Sequence, residues 1–244
     1  MKRWFYIGIV LMMAVLVGCT PPGPLSEGEG TPPPVGHPLS EGEGLPHEVC
    51  QELAEIDSLM WKEPDSALKV MMEFAGSEAA DGLDVFEGHY CQVLIAELLF
   101  KNYYGQSIRA EVLKAVRYFD SIVGMDGADT RDKADTRGVS VQERDAFLAA
   151  RAHYINGVGY YERDSLIEAC QEYLNTLRMM ESHFAENELV DKQAQFMALT
   201  YNRLLDLFSE QYMQEPAIYC GKQGLIYTRI APTSPYGASN VFTE

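Results

Sequence analysis

The sequence predicts an all-α protein assembled from antiparallel helix hairpins. Three observations lead to that class. Apolar residues recur at three- and four-residue steps through most of residues 47–228, the signature of one buried helical face. The stretch from Arg151 to Thr176 reads as two helices joined by a polar turn, with Gly157 and Ala169 where the helices must touch. The nine-residue offset from Tyr160 to Ala169 returns from Phe208 to Ala217, so the hairpin is expected to be one unit of a helical repeat.

In chain order, Lys2 and Arg3 precede an apolar run from Trp4 to Val17, as in a secretory leader. The run is shorter than the roughly 20 residues of a membrane-spanning helix. It ends in Leu16-Val17-Gly18-Cys19, which resembles the lipobox of bacterial lipoproteins. That resemblance implies cleavage after residue 18 and lipidation of Cys19, with enough acyl chains for stable anchoring. Thr20 stands where an aspartate would signal inner-membrane retention. The expected address is therefore the cell envelope, lipid-anchored at the outer membrane, with its periplasmic or surface face open. Residues 19–46 are rich in Pro, Gly and Glu and repeat Leu-Ser-Glu-Gly-Glu-Gly at Leu25 and Leu39, which reads as a tether with too little apolar surface to fold.

Helical periodicity begins at about residue 47. Val49, Leu53, Ile56, Leu59 and Met60 share a face; Glu63-Pro64 turns the chain into a second helix with Ala67, Leu68, Met71 and Met72 inward. Gly76 to Gly82 is a break. A long helix is expected from Val85 to Tyr104, with Tyr90, Val93, Leu94, Leu98 and Phe100 apolar and Gly105 as its stop. The next, capped near Ser107, turns Ala110, Leu113, Ala115, Val116, Phe119 and Ile122 to the core. Gly124 to Ser140 reads as a loop, then helices from Gln142 to Glu162 and from Asp164 to His183. Residues 229–244 are expected as an irregular tail.

The spacing His153-x2-Asn156-Gly157-x2-Tyr160, followed by Ala169-x3-Tyr173, overlays the tetratricopeptide-repeat pattern. Tyr201-x2-Leu204-Leu205-x2-Phe208 with Ala217 is a second copy, in which Gly221 and Gly224 replace a larger residue and an alanine. With Ile56-Asp57-Ser58-Leu59 and Pro64-Asp65-Ser66-Ala67-Leu68, residues 47–228 resemble the tetratricopeptide-repeat lipoproteins of the Bacteroidetes type. The resemblance implies a short right-handed solenoid whose concave groove is lined from the first helix of each hairpin. Those positions offer Arg151, Tyr154, Val158 and Tyr161, then Asn202, Asp206 and Ser209.

Other chemistry finds little support. A net charge of −17 repels phosphate backbones, so nucleic acid is not an expected partner. His37, His47, His89, His153 and His183 are scattered, without metal-ligand spacing, nucleophile elbow or phosphate-binding glycine loop. No catalytic residue, metal or cofactor is expected. Cys50, Cys91, Cys170 and Cys220 fall within helical stretches and read as buried thiols, with Cys170 and Cys220 the pair best placed to bridge. The expected function is a non-enzymatic, membrane-tethered scaffold that binds a peptide or protein. The alternative is a glycan- or nutrient-binding outer-membrane lipoprotein.

Overall fold

The computed structural model describes residues 51–103, 109–124, 139–186 and 189–231. Among the described residues all regular structure is helical. The expected leader, Cys19, the expected tether, Val49, Cys50, Gly105, Ser107, residues 125–138 and residues 232–244 of the expected tail lie outside them.

The first hairpin is α1 (Gln51–Met60) and α2 (Pro64–Ala75). Pro64 opens α2, where its missing N–H would have no partner in any case. Leu53, Ile56, Met60, Ala67 and Met71 meet in the core, and Leu59 and Leu68 pack at its edge. The expected break contains a four-residue helix, α3 (Glu78–Asp81).

Asp84 then starts α4 (Val85–Lys101) through a capping box. Its carboxylate accepts from Glu87 N at 2.8 Å, and its own N–H donates to Glu87 Oε2 at 3.1 Å. Helix α4 ends three residues before the expected Tyr104. In α5 (Arg109–Val123), Val112, Ala115, Val116 and Phe119 are buried. Ala110, expected inward, is exposed, because the buried arc begins two residues later.

Two long hairpins complete the described residues: α6 (Val139–Tyr161) with α7 (Leu166–His183), and α8 (Asp191–Glu210) with α9 (Gln214–Ile230). Arg229 and Ile230, expected in the tail, form the last turn of α9. The turns of these hairpins are superimposable in register. Ser165 N donates to Tyr160 O at 3.0 Å, and 48 residues on Met213 N donates to Phe208 O at 2.9 Å. Asp164 (φ 62°) and Tyr212 (φ 57°) hold the same left-handed position. That backbone suits Asp and costs a bulky residue such as Tyr about 1 kcal/mol.

Packing follows chain order: α1 on α2, α4 on α5, α5 on α6, α6 on α7, α7 on α8 and α8 on α9, with α4 also against α2 and α6. Cys170, half-buried, and Cys220, buried, are free thiols and do not bridge. Burial pushes the Cys220 thiol up to about 11 and also raises Cys170, so both stay protonated and unreactive near neutral pH. None of the described helices is long and apolar enough to cross a membrane.

Candidate functional site

The first helices of the hairpins converge on one buried knot of charge. Arg151, 0% exposed, reaches from α6 between two carboxylates. Its guanidinium donates to Asp57 Oδ1 and Oδ2 at 2.9 and 3.0 Å. Toward Glu97 its Nε lies 3.0 Å from Oε1, and its Nη2 bonds Oε2.

Asp57 gathers three more donors: Trp61 Nε1 at 3.3 Å, the Tyr90 hydroxyl at 2.8 Å and Lys192 Nζ at 2.8 Å. Burial alone would raise the Asp57 carboxyl, but Arg151 and Lys192 outweigh it and hold the group far below the usual carboxylate range. Lys192 and Lys101 both lie over the Trp61 ring, at 5.2 and 4.8 Å from its centroid. Burial lowers the pKa of each. The knot joins α1, α4, α6 and α8, so its chemistry is cross-linking of these four helices.

A second clamp lies two residues further along α6, about 200° round the helix from Arg151. His153 Nε2 is 2.9 Å from Asp120 Oδ1 on α5, and Nδ1 is 2.6 Å from Glu172 Oε2 on α7. Asn156 Nδ2 donates to Glu172 Oε1 at 2.9 Å. Burial disfavours the charged ring, but these two carboxylates prevail and push His153 up to about 9. The histidine standing at the aromatic position of the repeat pattern thus joins helices by charge.

These contacts decide where the expected groove residues stand. Arg151 is interior because only a buried guanidinium neutralises both Asp57 and Glu97. Tyr154 is buried too, its ring 5.2 Å from Phe196 and 5.8 Å from Tyr173, with Arg203 Nε 3.5 Å from its hydroxyl. Val158 is also buried. These three do not face solvent.

Tyr161 is half-buried and donates to Glu210. Asn202 is half-buried, and Asp206 and Ser209 are exposed. Burial, partly countered by Arg203, raises the Asp206 pKa, and Glu210 adds to the rise. Tyr161, Asp206, Ser209 and Glu210 therefore gather at the C-terminal end of α8.

Beside Ser209 an open groove of about 450 Å³ runs between α8 and α9, lined by Leu205, Ser209, Tyr212, Gln214, Ala217, Ile218 and Gly221. Its origin is a change of side-chain size between the two long hairpins. In α6 and α7, Gly157 faces Tyr173, and a Cβ built on Gly157 would lie 2.8 Å from Tyr173 Cε1. Forty-eight residues on, the pair is Leu205 and Gly221.

Here a Cβ on Gly221 would meet only Leu205 methyls, at 3.7 and 3.9 Å. Gly157 is required by packing; Gly221 is not, and it leaves open the space that Tyr173 fills in the preceding hairpin. Tyr212, 91% exposed on its left-handed turn, forms one wall. Ser209 is the one expected site residue that lines this space; Leu205, Tyr212 and Ile218 were not foreseen.

No family profile, curated protein or solved structure matches the chain. Among the described residues no cluster of His, Cys, Asp and Glu is arranged to hold a metal ion.

Proposed function

We propose that the chain is a membrane-tethered, right-handed helical-repeat scaffold, anchored through a lipid on Cys19 in the cell envelope, that binds a peptide segment in the groove beside Gly221. The observation carrying this reading is the exchange of Gly157 and Tyr173 for Leu205 and Gly221. It opens a space within the usual range of ligand pockets without any demand from packing.

The identical turn register of the two long hairpins, 48 residues apart, supports a repeat array of the tetratricopeptide kind. The lining is mainly aliphatic with one exposed tyrosine, which suits an apolar or aromatic side chain flanked by backbone that can bond Ser209 and Gln214. A sugar face would call for more hydrogen-bonding groups than this lining offers, so the glycan reading is the weaker. No reaction is assigned.

A peptide library displayed on phage and selected against the full chain tests the proposal. Selected peptides share a large apolar residue, and Gly221→Leu, which fills the space, weakens them about tenfold or more. Selected peptides that bind Gly221→Leu undiminished would remove the groove from the account.

A further inference from the structure

The outward face of α9 is patterned about its own midpoint. Exposed positions recur at 215, 218, 219, 222, 225, 226 and 229, a single stripe at helical spacing. Ile218 and Tyr219 are each 57% exposed, Leu225 46% and Ile226 39%. With Lys222 as centre, the positions three and four away on either side are all apolar. The positions seven away are opposite in charge, Glu215 before it and Arg229 after it.

A stripe with this symmetry is complementary to itself when two helices lie antiparallel. Glu215 of one copy then falls level with Arg229 of the other, twice. Ile218 and Tyr219 fall level with Leu225 and Ile226 of the other copy, and Lys222 lies at the dyad. Glu215 and Arg229 of the same helix are about 21 Å apart, too far to pair within one chain. A net charge of −17 opposes general self-adhesion, so a locally neutral-to-basic apolar stripe is the place where two copies can approach.

We infer that this face is an isologous interface that pairs two copies of the chain through antiparallel α9 helices. The inference rests on a different observation from the peptide groove, and Ile218 borders both surfaces. The stripe is one helix face about 25 Å long. It is smaller than the roughly 800 Å² per partner of standard interfaces, so the dimer is concentration-dependent. The two lysines at the dyad extend their ammonium groups sideways into solvent over their apolar stems.

Sedimentation equilibrium of the full chain and four variants tests it, with circular dichroism confirming that each variant is folded. The wild type is expected to associate reversibly to a dimer. Glu215→Arg and Arg229→Glu each weaken the dimer about tenfold, since each puts like charges at both ends of the interface. The combined Glu215→Arg/Arg229→Glu chain recovers the wild-type constant, and Lys222→Leu tightens it. A wild type that stays monomeric overturns the inference. So do association that both single swaps leave intact and a double swap that fails to recover.

Discussion

Replacing His153 by Gln removes a proton-dependent clamp between α5 and α7, and the loss is expected to depend on pH. The folded imidazole is pushed up to about 9 from an ordinary value of 6.5 by Asp120 and Glu172. Each pKa unit corresponds to about 1.4 kcal/mol, so the charged ring contributes about 3 kcal/mol to folding. Because the folded value is the raised one, the contribution is complete below pH 6.5 and is lost as pH climbs through about 9.

Urea unfolding of wild type and His153→Gln at about pH 6 and about pH 10 measures it. The variant is less stable by about 3 kcal/mol at the lower pH, and the gap closes to a small packing difference at the higher. Taking the difference between the two proteins cancels the titration of Lys101, Lys192 and the tyrosines. A gap that is equal at both pH values refutes the reasoning, as does an NMR titration placing the His153 ring near 6.5.

Three further outcomes follow from the same structure. Arg151→Met leaves Asp57 and Glu97 buried without their shared cation and is expected to lose about 3–5 kcal/mol in denaturant unfolding. Alanine at the two glycines separates packing from vacancy: Gly157→Ala destabilises by about 1 kcal/mol or more because Tyr173 must move, whereas Gly221→Ala is neutral or gains up to about 1 kcal/mol of helix propensity. Tyr212→Asn relieves the left-handed turn, raising stability by about 1 kcal/mol while weakening binding of selected peptides, read by melting temperature and titration calorimetry.

The helices were legible because their signals are local. Apolar periodicity gave the inward faces of α1, α2 and α4, Pro64 marked the start of α2, and the offset from Tyr160 to Ala169 marked the hairpin geometry of α6 with α7 and of α8 with α9. Errors fell at helix ends, where one residue changes little energy: α9 continues through Arg229 and Ile230, and α4 stops at Lys101.

The role of Arg151 was not legible because it depends on partners 94 and 54 residues away in sequence. A signal was nevertheless present. Asp57 sits beside Ile56 on an apolar face, Glu97 interrupts the run from Val93 to Phe100, and Arg151 is flanked by alanines; charges so placed are buried and must pair. The groove could have been found by comparing sizes 48 residues apart, since Gly157 with Tyr173 and Leu205 with Gly221 exchange the small residue between helices.

The central claim is that partners bind where Gly221 leaves space, and methyl NMR of the Leu- and Ile-labelled full chain with a phage-selected peptide addresses it directly. The predicted result is that the Leu205 and Ile218 methyl signals shift most on titration, that Leu53 and Ile56 near the charge knot stay fixed, and that Gly221→Leu abolishes the shifts. Shifts centred on α1 and α4, or shifts at Leu205 and Ile218 that persist in Gly221→Leu, would contradict it.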